Sequence, residues 1–327
     1  MANRARIFHI TLRMLLLLIA VSAIAFILIA KAPIDPLAAY VGTESTLSQE
    51  AKDAAAAHWG LDKSLPERYF TWVGNVLRLD LGESITYKRP VADIIGERFS
   101  HSVVLMLLAW VLSGLLGFAL GAKSASLAGR LPDKIIKSLC LVLQSTPVFW
   151  IGLLALSLFA VTLGWFPIGM EAPIGKLAQE VTFWDRAYHL ILPVFTLTII
   201  GVGKIALYTR QKYIEVMGSD FVLFAKARGE TKRQLFRRHI LRNIALPAVT
   251  IQFASFSELF GGMTLAETVF SFPGIGSATT AAALNGDVPL LLGTALIGAL
   301  FVFAGNLTAN ILYGVFDPRL KDGGEYV

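Results

Sequence analysis

Six stretches of the sequence are apolar over about the 20 residues that a helix needs to cross a bilayer, and no other feature narrows the possible folds as far. They run from Ile10 to Ala30, Ser102 to Ala122, Leu139 to Trp165, Leu190 to Tyr208, Ile244 to Phe270 and Leu290 to Val315. Only 16% of the residues are charged, where a soluble domain carries about a quarter. The pattern predicts an all-α integral membrane protein with six transmembrane helices. Prolines mark three of the runs: Ser145-Thr146-Pro147 in the third, Pro193 in the fourth and Leu246-Pro247 in the fifth. Each removes a helix hydrogen bond and offers a bend point. Gly117 and Gly121 in the second run either seat a close helix crossing or are small residues facing lipid.

Arg4, Arg6 and Arg13 precede an uncharged apolar run, Met14 to Ala30, and Ala30-Lys31-Ala32 looks like a signal-peptidase site. The run is longer than the 7–15 residues or so of a secretory signal, and more spans follow, so a retained first helix is expected. Residues 1–31 then form the tail and first span. Residues 32–100 are an extracytoplasmic segment, and 101–327 the transmembrane core.

The loops orient the chain. Between Arg210 and Asn243 stand Arg210, Lys212, Lys226, Arg228, Lys232, Arg233, Arg237, Arg238 and Arg242 against Glu215, Asp220 and Glu230, so this loop carries the whole chain's formal excess of +6. Lys and Arg collect in cytoplasmic loops, which places 210–243 and both termini in the cytoplasm. Lys123, Arg130, Lys134, Lys137, Arg319 and Lys321 agree. The excess basic charge is thereby a membrane signature, and no nucleic-acid partner is expected. Lys31 to Ser100 falls outside. Its Trp59-Gly60-Leu61-Asp62, Tyr69-Phe70-Thr71-Trp72-Val73 and Leu79 to Ser84 stretches suggest an ordered cap of short helices.

Catalytic signatures are missing. A phosphate-cradling P-loop needs a glycine five residues before Gly203-Lys204 and Ser or Thr after it; Thr198 and Ile205 stand there. No His-Glu-x-x-His occurs, and Leu284 replaces the glycine that an intramembrane aspartyl protease would need before Gly286-Asp287. Cys140 is the only cysteine, which excludes an internal disulfide or a cysteine metal cage; it is expected as a packing residue. The five histidines, His9, His58, His101, His189 and His239, are scattered. No catalytic, metal or cofactor site is expected in this chain.

The basic loop carries the most information. Asp220 to Arg228 reads as a short amphipathic helix ended by Gly229, as a left-handed cap would end it. Thr231 with Gln234 is a capping-box pattern opening a second helix that runs on to Leu246-Pro247. Such an elbow between two spans is a lever whose Phe221, Phe224 and Ala225 would enter a groove on a cytosolic partner. A plain membrane-surface helix in a positive loop has the same spacing.

Ala225-Lys226-Ala227-Arg228-Gly229, followed by Arg238-His239, Arg242-Asn243 and Leu246-Pro247, resembles the EAA-type coupling loop of ABC importer permeases. More narrowly, the chain resembles the first permease subunit of the oligopeptide, dipeptide and nickel family. The stretches Gly60 to Pro66, Leu79 to Ser84, Arg89-Pro90-Val91, Pro147 to Trp150, Leu163 to Trp165, Glu267 to Gly276, Asp287-Val288-Pro289, Asn306-Leu307 and Asp317-Pro318-Arg319 carry that likeness in order. Leu223 departs from it, standing where the general loop pattern has glutamate. Ala309 departs too, where an acidic residue is common.

The resemblance implies a type I importer permease of the bacterial inner membrane. It would pair with a second homologous permease. It would dock one or two ATPase chains that hold the ATP and magnesium, and receive cargo from an extracytoplasmic binding protein. Short peptides are the implied cargo, with nickel or a metal–chelator complex as the alternative. Phe221, Phe224, Ala225, Lys226, Ala227, Arg228, Gly229, Arg238 and Arg242 are the implied ATPase contacts. An ion-driven secondary transporter would show paired inverted repeats and several midplane carboxylates, neither of which is clear here. A membrane scaffold would have no use for the elbow.

Carboxylates within a span face a cavity or a partner. Ser255, Glu258, Gly261, Gly262 and Glu267 are therefore expected along the pathway, the other reading being structural hydrogen bonds near the membrane edge. Lys204 is expected to snorkel toward the cytoplasm, the other reading being a contact with substrate.

Overall fold

The computed structural model describes residues 2–31, 63–177 and 179–316, with side chains described over 12–31, 63–177 and 179–308. Trp59 to Asp62, His58, Asp317-Pro318-Arg319 and Lys321 lie outside the described residues, as do the side chains of Arg4, Arg6, His9 and Ala309.

Among the described residues the regular elements are helices, and strand pairing is limited to one bridge between Glu83 and Pro90. In chain order they are α1 (Ala2–Lys31), α2 (Leu65–Leu77), α3 (Val91–Ser126), α4 (Leu131–Ser145) and α5 (Val148–Ala155), the last continued by a π-helical turn, Leu156–Thr162. Then come α6 (Phe183–Met217), α7 (Asp220–Ala227), α8 (Lys232–Leu235) with a π-helical turn Phe236–Ile240, and α9 (Leu241–Ala254). The chain closes with α10 (Phe256–Val269), α11 (Ile275–Asn285) and α12 (Val288–Phe316). Among the described residues four helices, α1, α3, α6 and α12, are long and apolar enough to cross a membrane, and six spans result if α4–α5 and α8–α10 each count as one bent span.

The third run is broken at the proline expected to bend it, and the fifth is broken away from its expected bend point. At Thr146-Pro147 the chain bends by 107°. Proline drives the residue before it out of the helical region, and Thr146 sits at ψ 130°. The fifth run breaks at Ser255, by 51°, and α9 passes through Pro247 unbroken. The Ser255 hydroxyl donates to the Gln252 carbonyl at 2.9 Å, the kind of local side-chain bond that competes with the helix ladder. Pro193 likewise lies inside an uninterrupted α6.

The chain divides into two compact units, Met1–Ser102 with Pro273–Phe303, and Val103–Phe272 with Ala304–Val327. In the first, Phe26 of α1 packs edge-on against Tyr69 of α2 at 5.4 Å and beside Trp72 at 6.0 Å. Ser22 is within 2.9 Å of the Tyr69 hydroxyl. The Ser64 backbone N–H and hydroxyl donate to Glu67 at the start of α2. Those bonds, the hydroxyl's first, hold the Glu67 carboxyl below its ordinary range. Asp287, fully buried, accepts from the Ser84 hydroxyl at 2.5 Å, Thr86 N–H at 2.9 Å and Leu290 N–H at 3.2 Å. Two motifs far apart in sequence, Leu79 to Ser84 and Asp287 to Pro289, thus meet on one carboxylate that caps α12.

The second unit is built on α6. A Cβ added at Gly117 of α3 would lie 2.8 Å from Ile205 Cβ, and one at Gly121 would collide with the Ala206 carbonyl and sit 2.8 Å from Thr209 Cβ. Both glycines therefore seat the close α3–α6 crossing, as small residues let backbones approach. Gly203 meets the Cys140 carbonyl of α4 in the same way, and Cys140 is 2% exposed. Gln252 of α9 donates to the Trp110 carbonyl of α3, and Trp110 Nε1 donates back to the Gln252 carbonyl at 3.0 Å.

Candidate functional site

The elbow between α6 and α9 begins where the helix ladder of α6 runs out at Gly218, whose N–H bonds back to Ile214 and Glu215. Ser219, in an extended conformation, starts α7. Gly229 at φ +81° ends it, in the left-handed region open to glycine, and the Glu230 N–H closes the turn on the Ala225 carbonyl at 3.2 Å. Thr231 and Gln234 then cap α8 reciprocally, Thr231 N–H to Gln234 Oε1 at 2.8 Å and Gln234 N–H to Thr231 Oγ1 at 3.4 Å. The backbone continues helically into α9, so the lever expected from the sequence has this form.

Helical spacing decides which side of α7 faces where. Val222 and Ala225, three apart, are fully buried with Tyr213, Val216, Leu235, Ile240 and Ile244. Burying a Val or Ile contributes about 1.5–3 kcal/mol, so the elbow is a packed extension of α6 and α9. The opposite side carries Phe221 at 46%, Leu223 at 50% and Phe224 at 73% exposure. Ala225 therefore departs from its expected role. With its methyl inside the elbow it positions α7 and leaves Phe221 and Phe224 to make any contact. Lys226, Ala227, Arg238 and Arg242 are exposed, and Lys226 Nζ donates to the Met217 carbonyl at 3.4 Å. Glu230 gathers Arg228 and His239, each at 3.0 Å.

Two ion pairs join α6 to other helices among the described residues. Arg210 grips Asp133 of α4 with two hydrogen bonds, Nε to Oδ1 at 2.6 Å and Nη2 to Oδ2 at 2.8 Å. Asp133 also accepts from the Ser124 hydroxyl at 2.6 Å and Gly129 N–H at 2.9 Å. This clamp is not legible in the sequence, because its partners are 77 residues apart and Asp133 stands among basic loop residues that only orient the chain. Lys204 Nζ donates to both oxygens of Glu258, at 2.7 and 2.8 Å. Lys204 is thus directed to α10 instead of snorkelling.

The five pathway candidates separate on α10. Glu258 and Gly261 are exposed on one face with Leu265 and Thr268, and a Cβ on Gly261 would meet nothing within 4 Å. Gly262 is turned toward Val148 and Leu197, at 3.5 and 3.6 Å from an added Cβ. Ser255 and Glu267 are buried. Ser257, beside Glu258, donates to Asn306 of α12 at 2.9 Å, and an added Cβ at Gly305 would collide with the Phe256 ring. The Asn306 motif is thereby joined to the pathway candidates. Among the described residues no three His, Cys, Asp or Glu side chains come together as metal ligands would.

Comparison with known proteins gives matches over most of the chain. The model of a family described as binding-protein-dependent transport system inner membrane component matches residues 113–322, and that of its N-terminal region matches residues 6–109. An oligopeptide transport system permease protein of Bacillus subtilis, AppB, is 31% identical over 97% of this chain and 99% of its own length. A di/tripeptide transport system permease protein of Pseudomonas aeruginosa, DppB, is 33% identical over 92% of this chain and 94% of its own. A solved amino acid ABC transporter overlays with a TM-score of 0.49 at 16% identity, over 69% of this chain and 94% of that one.

Proposed function

We propose, since this chain belongs to the binding-protein-dependent transport system inner membrane component family, that it forms one half of the membrane pathway of an ATP-driven importer of short peptides. The relatives named for oligopeptide and di/tripeptide transport support the cargo. The elbow carries the mechanical part of the reading. Its inner side is packed into the protein while Phe221 and Phe224 stand outward, so force on that pair is delivered to α6 and α9 together.

In this reading the elbow and both termini are cytoplasmic, and an ATPase chain receives Phe221 and Phe224 in a groove. Arg228, Arg238 and Arg242 pair with its acidic rim or with lipid phosphates. ATP and magnesium are held by the ATPase chains, and this chain is a non-catalytic subunit. A second, homologous permease faces it, and an extracytoplasmic binding protein delivers cargo. Closure of the ATPases draws the elbows together. The broken helices, α4–α5 at Pro147 and α9–α10 at Ser255, absorb the change between inward-open and outward-open forms.

The test is purification of the complex in detergent from its native membrane, with wild type compared to Phe224→Asp. Wild type is expected to bring down a second permease and an ATPase, identified by mass spectrometry. The variant is expected to keep the permease and lose most of the ATPase, because a charge replaces an anchor that carries a large share of such contacts. A wild-type chain that purifies without any ATPase and transports on an ion gradient would overturn the reading.

A further inference from the structure

Lys204 is the one charged residue in the apolar stretch 190–208 of α6, and Glu258 the one between residues 244 and 266. Their side chains remain 33% and 67% exposed. A charge at such a position costs about 2.5–3.5 kcal/mol against lipid even by insertion scales, and so faces water or protein. Among the described residues, the side of α10 that bears Glu258 is left open: Gly261 one turn on has free space about it, and Leu265 and Thr268 continue the exposed line. Both charged groups keep unused capacity. An ammonium has three N–H donors and a carboxylate about four acceptor sites, and the pair uses two of each.

We propose that Lys204 and Glu258 read the two ends of the cargo, Glu258 taking the α-ammonium of a short peptide and Lys204 its α-carboxylate. This rests on the peptide-importer reading above. An importer of peptides of varied sequence has only the backbone and the two terminal charges in common to its substrates, and this pair presents the complementary charges side by side. A dipeptide spans roughly 7 Å at most, so the pair must part to bracket it. The flexible four-carbon stem of lysine permits that where a planar guanidinium would hold its partner more firmly. When the peptide leaves, the pair recloses, so neither charge is left alone within the membrane.

The test is calorimetric titration of the purified complex, without binding protein, with di-alanine, N-acetyl-di-alanine and di-alanine amide up to millimolar concentrations. Wild type is expected to favour the free peptide over each blocked form by about tenfold, the lower end of what a hydrogen bond to a charged group contributes. Glu258→Gln should abolish the preference against N-acetylation and leave that against amidation, and Lys204→Met should do the reverse. Assembly is checked by co-purification. Where a single variant fails to assemble, Lys204→Met with Glu258→Gln, which leaves no lone charge, replaces it and should lose both preferences. Equal weakening of all three ligands, an unchanged preference, or no binding to wild type would overturn the proposal. ATP-driven peptide uptake by proteoliposomes carrying the same complex and its binding protein separates the two readings: uptake without such binding removes this inference alone, and absence of uptake removes the importer reading.

Discussion

Among the described residues, the two ion pairs that join helix α6 to other helices lie six residues apart, about 9 Å along its axis, and they differ in kind. Arg210–Asp133 is buried: Asp133 is 2% exposed, and it accepts from the guanidinium, a hydroxyl and a backbone N–H at once. Lys204–Glu258 is partly open and receives no further hydrogen bond of this kind among the described side chains. A bidentate guanidinium fixes geometry, whereas an ammonium on a long stem moves readily. The comparison teaches that this helix is fastened firmly near the elbow and held by a more exposed, looser pair at α10; on the reading proposed above these are a fixed end and a working end.

The largest effect is expected where the fastening is cut. Arg210→Ala leaves Asp133 buried without its counter-charge, and breaking a buried pair from one side costs about 3–5 kcal/mol. A fall in the melting temperature of the purified complex, together with lower yield, would register it. Arg210→Lys should recover part of the loss, since it restores charge without the fork. If Arg210→Ala melts with wild type, the contrast between the two pairs collapses.

Next in size is Gly121→Val. Its Cβ would collide with the Ala206 carbonyl and crowd Thr209, and overpacking of this sort costs about 1–3 kcal/mol. The α3–α6 crossing would be forced apart, so Arg210 and Ser124 would also shift relative to one another. Gly261→Ala is the internal control: an added methyl there meets open space and should leave the melting temperature unchanged.

Much of this was legible in advance, and the misses have physical causes. Gly117 and Gly121 were readable because the spacing of small residues is itself the contact. Gly229, Thr231 and Gln234 were readable because caps are local. The fifth run misled because proline is a strong signal and Pro247 was its proline, yet α9 passes through Pro247 and the break lies at Ser255. Ala225 misled because an amphipathic turn shows two sides without saying which is outward, and only Val222, Leu235 and Ile240 closing over it settle that. Asp133 and Arg210 meet through the fold, and no spacing rule reaches across such a separation.

Neutralising the open pair should separate stability from recognition. Lys204→Met combined with Glu258→Gln, which leaves no lone charge, is expected to change stability by less than about 1 kcal/mol, the range for exposed ion pairs, while removing both of the roughly tenfold preferences for free peptide ends. A melting shift as large as that of Arg210→Ala would instead make Lys204–Glu258 a second fastening, and the division of α6 into fixed and working ends would be lost.

The smallest effect is the most local. The Thr231 hydroxyl accepts the Gln234 N–H at 3.4 Å, a long bond, at a position where Thr→Ala typically costs about 1 kcal/mol. Loss of that cap should raise the opening of the first turn of α8, and hydrogen exchange at Gln234 and Leu235 should quicken by about fivefold, the factor that about 1 kcal/mol implies when exchange follows local opening. Amides in α7 should keep their protection, because Val222 and Ala225 remain buried whether or not α8 is capped. Thr231→Ser should restore the slow exchange. If instead both helices exchange faster together, the elbow opens as one unit, and its stiffness lies in the caps more than in the buried side of α7.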